Sequence, residues 1–200
     1  MSVRRLAAEQ PESFEFTPAN KAWAEGVIAK YPPGRQFSAI IPLLWRAQEQ
    51  EGWLTKPAIE SVAAMLKMPY IRALENATFY TMFNLEPVGK HQVQVCTTTP
   101  CWLRGSDDIV SVCKRRIHPE QHHISEDGQF SWVEVECLGA CVNAPMVQIH
   151  DDYYEDLSIE SFERILDTLA SGGSPKPGPQ IDRQTSAPVG GPTTLNEIKA

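Results

Sequence analysis

The sequence HQVQVCTTTPC, residues 91–101, sets the architecture of the C-terminal half of the chain. Its first six residues alternate between polar and apolar side chains, which is the two-residue period of a β-strand. This strand ends at Cys96, and a second cysteine follows after four residues. The segment QFSWVEVEC, residues 129–137, also alternates with a two-residue period, and it ends at Cys137. We therefore predict two strands that each place a cysteine at their carboxyl end.

A helical segment joins these two strands. Residues 107–116 carry apolar side chains at helical spacing, and Cys113 lies in that apolar stripe. We therefore predict Cys113 to be a small core residue. Because a helical crossover returns the chain in its original direction, the two strands are expected to be parallel. Neighbouring parallel strands end at one edge of the sheet, so the cysteines that follow them are expected to converge.

Two shorter strands and a helix complete this half. Residues 145–150 and 153–156 are joined by an Asp-Asp turn, which is short enough to predict an antiparallel hairpin. Ser158 begins a last helix that Gly172 ends. This order predicts a thioredoxin-like α/β domain over residues 88–171, with a mixed four-stranded sheet.

Residues 17–87 show helical periodicity instead. Four helices are predicted from their termini: Thr17 precedes a proline, Gly52 ends the second helix, Thr55 caps the third and Pro69 opens the fourth. The predicted fold class is therefore α+β, with an N-terminal helical bundle followed by the thioredoxin-like domain.

The two ends of the chain differ from these domains. Residues 1–16 are predicted to be an N-terminal extension. Residues 172–200 contain five glycines, five prolines and no aromatic residue. Such a segment buries too little apolar surface to offset its ordering entropy. We predict that it is disordered or docks on a partner.

Composition and charge exclude several classes of protein. The 200 residues carry a net charge of −7 and include 42% hydrophobic residues, which is ordinary for a globular protein. Without a basic block, nucleic acid is not an expected partner. The longest run without charged side chains, residues 137–150, is shorter than the roughly 20 residues of a membrane-spanning helix, so no membrane insertion is expected. The start of the sequence shows no signal peptide and no Arg-rich, acid-poor leader, which favours a bacterial cytoplasmic setting over the mitochondrial matrix.

Four of the five cysteines form two pairs at strand ends. Cys96 and Cys101 are separated by four residues, and Cys137 and Cys141 by three. Four thiolates at one edge of a sheet are the ligand set of a 2Fe-2S cluster. The threonines that follow Cys96 can donate hydrogen bonds to sulfur, and Gly139 lets the backbone approach the cluster.

Other cysteine chemistries fit the spacing less well. A structural zinc site also uses four thiolates but typically has two-residue spacers, so zinc remains an open alternative. A thioredoxin-type dithiol needs C-x-x-C, which neither pair has. A Rieske centre needs two histidine ligands, and no histidine lies next to either pair. All five histidines are predicted to lie at the surface without ligand roles: His91, His118, His122, His123 and His150.

The two cysteine segments carry a family resemblance. CTTTPC at 96–101, together with the region from DGQFS to CLGACVNAP at 127–145, is similar to the small iron-sulfur subunit of respiratory NADH:quinone oxidoreductase (complex I), also called its 24 kDa or E subunit. The resemblance covers about residues 17–170. It implies a thioredoxin-like ferredoxin that binds one 2Fe-2S cluster through the four paired cysteines. The cluster would exchange one electron with FMN.

The resemblance also implies partners. FMN and NADH are expected on a flavoprotein subunit, among other complex I subunits, at the cytoplasmic side of the bacterial inner membrane. Consistent with this, no G-x-G-x-x-G follows a strand in this chain, so the chain itself is not expected to bind NADH or flavin. The alternatives are a zinc site or structural adaptor of the flavoprotein, or the equivalent subunit of an NAD-dependent hydrogenase or formate dehydrogenase. The residues that flank the cysteines are our candidates for the flavoprotein-facing surface: Trp102, Leu103, Arg104 and Leu138.

Overall fold

The structure, a computed structural model, describes residues 4–183, 190, 191 and 194. The chain divides into two compact units between Lys90 and His91. The sequence predicts this boundary between residues 87 and 88. Within the described residues, no helix has the length and the apolar character needed to cross a bilayer.

The N-terminal unit is helical. Its α-helices are α1 (Pro18–Ile28), α2 (Ile40–Glu51), α3 (Lys56–Met65) and α4 (Tyr70–Phe79), and a 3-10 turn at Gln36–Ala39 precedes α2. The sequence predicts that the second helix begins at residue 36. It begins at Ile40 instead, because the ring of Pro42 would clash with the carbonyl group four residues earlier in an α-helix.

Local capping signals in this unit are confirmed. Thr17 Oγ1 accepts a hydrogen bond of 3.3 Å from the backbone N–H of Asn20 at the start of α1. Thr55 Oγ1 accepts one of 3.1 Å from Ala58 at the start of α3. Gly52 ends α2 with a φ of 83°, a left-handed conformation that glycine adopts without strain.

The extension before α1 packs onto the helical core although it has no regular structure. The side chains of Leu6, Phe14 and Phe16 contact the buried cluster of the helices. The Arg4 guanidinium donates hydrogen bonds to carbonyl groups at the end of α4 and just after it. Those carbonyl groups belong to Ala77, Thr78, Tyr80 and Phe83. The last carbonyl groups of a helix have no partner within the helix itself.

The C-terminal unit is built from strands and helices. The strands are β1 (His91–Cys96), β2 (Phe130–Val135), β3 (Val147–Ile149), β4 (Asp152–Glu155) and β5 (Gly178–Pro179). The helices are α5 (Thr99–Leu103), α6 (Ser106–Arg116) and α7 (Ile159–Ala170), with a 3-10 turn at Cys141–Asn143.

The described residues of this unit form one five-stranded sheet in the order β2-β1-β3-β4-β5. β1 and β2 are parallel, as predicted from the helical crossover, and Cys96 lies opposite Val135 at their shared edge. β3 and β4 form the predicted antiparallel hairpin. The prediction of four strands is wrong, because β5 adds a fifth strand parallel to β4.

The C-terminal segment is therefore partly ordered. Gly178 and Pro179 pair with Tyr154 and Glu155, and the next residue donates its backbone N–H to the Glu155 carbonyl at 2.9 Å. The prediction of disorder from residue 172 is wrong as far as residue 183, since backbone and charged contacts replace the apolar contacts that this segment lacks. The prediction for 184–189, 192–193 and 195–200 lies outside the described residues.

Helices α6 and α7 cover the sheet and bury the core of the unit. Cys113 on α6 is fully buried in this core, and burial raises the pKa of its thiol. The prediction of Cys113 as a core residue is confirmed. Helix α7 begins with a capping box in which Ser158 and Ser161 exchange hydrogen bonds, as the N-terminal signal at Ser158 predicts.

Candidate metal centre

The first cysteine pair is buried at the end of β1. Cys96 is the last residue of that strand and is 2% exposed, and Cys101 lies on α5 and is 1% exposed. Ala144 and Met146, from the segment before β3, pack against both cysteines. We call Cys96 and Cys101 the buried pair.

Helix α5, which carries Cys101, was missed in the sequence. Its signal is Pro100, which occupies an early helical position where the missing N–H costs least. Thr98 lies at the N-cap position, yet its hydroxyl makes no capping bond. The Thr98 hydroxyl oxygen lies 3.4 Å from Cys96 Sγ instead. The threonine thus contributes to the cysteine site rather than to the helix terminus.

The second cysteine pair lies on the loop after β2. Cys137 and Cys141 are both exposed, and their sulfur atoms are 3.4 Å apart. The backbone N–H of Gly139 donates to Cys137 Sγ at 3.4 Å. This contact depends on a φ of 85° at Gly139, which glycine adopts without a steric penalty. We call Cys137 and Cys141 the exposed pair.

Direct contacts join the two pairs. Leu138 and Ala140, on the loop of the exposed pair, pack against the buried cluster that contains Cys96 and Cys101. The Thr98 hydroxyl, which lies 3.4 Å from Cys96 Sγ, also contributes to lowering the pKa of Cys137, after the Gly139 N–H and Cys141. The structure therefore brings all four predicted ligands to the same end of the parallel strands.

The two thiols of the buried pair differ in acidity. Burial opposes ionisation of Cys96, but hydrogen bonds, led by the one from Thr98, outweigh it and lower the pKa of this thiol. At Cys101, burial and the hydrogen bond with Cys96 raise the pKa to about 12. Cys96 therefore ionises first, and Cys101 retains its proton in the absence of a metal.

The two thiols of the exposed pair also differ in pKa. The N–H of Gly139 lowers the pKa of Cys137, and the hydrogen bond with Cys137 raises the pKa of Cys141. In each pair, one thiol is therefore more acidic than the other. Because metal ligands are thiolates, metal binding must release the protons that the second member of each pair retains.

The donor set fits an iron-sulfur cluster. All four candidate ligands are cysteines, whose soft thiolates suit iron-sulfur clusters, and the Thr98 hydroxyl and the Gly139 N–H supply hydrogen bonds at sulfur. In the described part of the chain, no group of three or more His, Cys, Asp or Glu side chains is placed to hold a single metal ion. The thiols instead form two neighbouring pairs.

Apolar side chains near the cysteines are exposed to solvent. Trp102 is 57% exposed and Leu103 is 70% exposed, whereas Leu138 is half-buried. The sequence prediction missed Val142, which directly follows Cys141 and is 85% exposed. Its position directly after a candidate ligand was the feature of the sequence that could have indicated an exposed residue at the site.

The prediction of surface histidines is wrong for His91. This residue begins β1, at the other end of the strand from Cys96, and is 8% exposed. Its Nδ1 lies 2.8 Å from Nε2 of His150, which follows β3. The contact arises because β1 and β3 are antiparallel neighbours, and the sequence spacing of the two histidines does not reveal it.

Comparisons with known proteins agree with this arrangement. A family model described as thioredoxin-like [2Fe-2S] ferredoxin matches residues 24–170. The E 1 subunit of NADH-quinone oxidoreductase from Rhizobium meliloti (strain 1021) is 59% identical over 200 residues, which cover 98% of this chain and 73% of that protein. The E subunit of NADH-quinone oxidoreductase from Rickettsia bellii (strain RML369-C) is 61% identical over 158 residues, covering 78% of this chain and 95% of that protein.

A solved structure shares the fold. A chain of a NAD+-reducing [NiFe]-hydrogenase in the H2-reduced state matches with a TM-score of 0.56 and 15% identity, over 64% of this chain and 22% of that chain. This likeness concerns the fold alone. The family model spans both cysteine pairs and most of the chain, and the sheet and the paired thiols agree with it. The chain therefore belongs to the thioredoxin-like [2Fe-2S] ferredoxin family.

Proposed function

We propose that this chain is the small electron-transfer subunit, the E subunit, of the NADH dehydrogenase module of an NADH:quinone oxidoreductase. The observation that carries the proposal is the convergence of two cysteine pairs at one edge of the sheet, in a chain 59% identical over 200 residues to a protein named as such a subunit. The relatives favour this role over the corresponding subunit of a hydrogenase or formate dehydrogenase, because the hydrogenase likeness is one of fold only.

Cys96, Cys101, Cys137 and Cys141 hold one 2Fe-2S cluster in this proposal. The cluster supplies one-electron transfer when it is bound. The protein surrounds the two cysteine pairs of the cluster site differently. The buried pair removes its sulfur atoms from water, and the Thr98 hydroxyl lies within hydrogen-bond distance of Cys96 Sγ. These contacts stabilise negative charge on the thiolates and tune the potential of the site.

The exposed pair defines the side that a redox partner approaches. Cys137 and Cys141 lie at the surface, and exposed Trp102, Leu103 and Val142 are close to the cysteines in sequence. Exposed apolar side chains beside a redox site suit a protein partner. The partner is the flavoprotein that carries FMN and the NADH site, within a larger complex at the cytoplasmic face of the bacterial inner membrane.

The test is purification of the chain with its flavoprotein, followed by metal analysis, visible absorption and rapid-freeze EPR before and after NADH. We expect two irons per chain, a red-brown colour and an EPR signal that develops with NADH. A colourless protein that contains zinc would support the structural alternative instead. A cluster that stays oxidised although the flavin is reduced would contradict the electron-transfer role.

A further inference from the structure

The chain after α7 returns to the loop of the exposed pair, residues 137–145, which we call the second cysteine loop. β5 pairs with β4, and Gln180 continues the ladder through its backbone N–H to Glu155 at 2.9 Å. This pairing directs the following residues toward the end of β4 that faces the loop. The segment lies beyond residues 24–170, which the family model matches.

Arg183 contacts this loop with its guanidinium group. Nη1 donates to Asn143 Oδ1 at 2.6 Å, and Nη2 donates to the carbonyl oxygen of Val142 at 3.5 Å. Nη2 also forms an ion pair of 2.9 Å with Asp156, whose side chain is only 4% exposed. The guanidinium therefore joins the end of β4 to the second cysteine loop.

Asn143 is the residue through which this contact reaches the cysteines. It lies two residues after Cys141 and ends the 3-10 turn that begins there. Its N–H donates to the Ala140 carbonyl at 2.9 Å, and its carbonyl accepts the Asp156 N–H at 2.8 Å. Its side-chain amide donates to the Glu155 carboxylate and accepts from Arg183. Both its backbone and its side chain are thus held, and with them the turn that carries Cys141.

Polar contacts hold this turn in addition to the packing of Leu138 and Ala140, because Cys137 and Cys141 themselves are exposed. The buried pair differs, since tight packing restricts Cys96 and Cys101. Groups that orient a metal ligand from outside the ligand shell typically matter for both affinity and spectroscopic properties.

We propose that Arg183 is a positioning residue that holds Cys141 in its ligand geometry through Asn143. The C-terminal segment thereby sets the exposed half of the cluster site. The inference rests on the proposed ligand set. It adds a residue outside the family's matched region to the machinery of the site.

The test compares full-length holoprotein with its Arg183→Met variant, which retains an unbranched apolar side chain but removes the guanidinium group with its charge and donors. We expect a changed EPR line shape of the dithionite-reduced cluster. We also expect about 10-fold faster loss of the visible absorption in an iron chelator, as for loss of a group that orients a metal ligand. Arg183→Lys, which retains the charge without the two-pronged donor, is expected to give an intermediate rate.

A matched control is Arg116→Met. It removes another arginine ion pair of the same unit, with Asp167 between α6 and α7, without touching the second cysteine loop. We expect the wild-type EPR spectrum and rate of cluster loss. Thermal unfolding of each holoprotein is monitored by far-UV circular dichroism. The midpoint temperatures show whether the variants fold as stably as the wild type.

Asn143→Ala tests the route of the effect. If Arg183 acts through Asn143, the double variant loses its cluster no faster than the more affected single variant, because coupled residues are not additive. If the double variant instead loses its cluster at a rate increased by the product of the two single effects, Arg183 does not act through Asn143. A wild-type spectrum and rate for Arg183→Met would overturn the inference and leave the proposed function intact. Wild-type protein without any iron-sulfur signal would overturn both.

Discussion

The hydroxyl of Tyr153 donates a hydrogen bond of 2.8 Å to the carbonyl oxygen of Leu138. Tyr153 lies on β4, whereas Leu138 directly follows Cys137 on the second cysteine loop. The bond therefore connects the sheet to the loop that carries the exposed pair. It complements the contacts of Arg183, which hold the other end of the cysteine motif at Asn143.

Removal of this hydroxyl is expected to loosen the loop. Tyr153→Phe deletes a half-buried hydrogen bond, so we expect the free energy of unfolding of the apoprotein to fall by about 1 kcal/mol. We also expect faster loss of the visible absorption of the holoprotein in chelator. The control is Tyr154→Phe, the same change at the neighbouring position on the opposite face of β4. Equal rates of cluster loss in both variants would contradict a specific role for Tyr153.

The five cysteines are expected to separate into two classes. Cys141→Ala removes an exposed candidate ligand, so we expect loss of the cluster signal with an apoprotein stability within about 0.5 kcal/mol of wild type. Cys113→Ala leaves a small cavity in the core, so we expect an intact EPR signal and a loss of about 1 kcal/mol.

Iron content, EPR and urea unfolding measure the two effects. Loss of the cluster in Cys113→Ala together with its retention in Cys141→Ala would refute the ligand assignment. Alanine at Cys96, Cys101 or Cys137 is likewise expected to abolish the signal or reduce it severely.

Gly139 is expected to be sensitive to substitution for a conformational reason. A Cβ at this position meets no atom within 4 Å, but its φ of 85° disfavours any other residue. Gly139→Ala is expected to cost about 1–2 kcal/mol if the conformation is kept. If the backbone relaxes instead, the N–H moves away from Cys137 Sγ, and the EPR spectrum of the cluster changes.

Gly128→Ala is the matched control, because Gly128 has a φ of 72° and equally open surroundings in a turn before β2. We expect a similar loss of stability with an unchanged cluster spectrum. Identical spectra for both variants would show that the Gly139 contact has no effect on the cluster.

Arg4 is expected to stabilise the N-terminal unit. Its guanidinium donates to carbonyl groups at the end of α4 and is partly buried, which lowers its pKa below the usual value. Arg4→Ala leaves those carbonyl groups without these donors, and we expect a loss of about 2 kcal/mol in urea unfolding. The neighbouring Arg5 is exposed, so Arg5→Ala is expected to have little effect. An equal loss in the two variants would show that the contacts of Arg4 are not the cause.

Local patterns in the sequence predicted most of the elements around the site. The alternation from His91 to Cys96 matches β1, and the crossover predicted its parallel pairing with β2. The caps at Thr17, Thr55 and Ser158 lie where their helices begin. These signals act between residues a few positions apart, so they can be recognised without knowledge of the tertiary structure.

The cysteine spacings and strand order in the sequence predicted which thiols meet and what they can bind, because parallel strands must end at the same edge of the sheet. Only the tertiary structure decided that Cys96 and Cys101 are buried whereas Cys137 and Cys141 are exposed. It also decided that Arg183 contacts Asn143, 40 residues earlier, and Asp156, 27 residues earlier. Burial and long-range ion pairs depend on how distant segments pack, and neither the two-residue nor the helical period of the sequence records that packing.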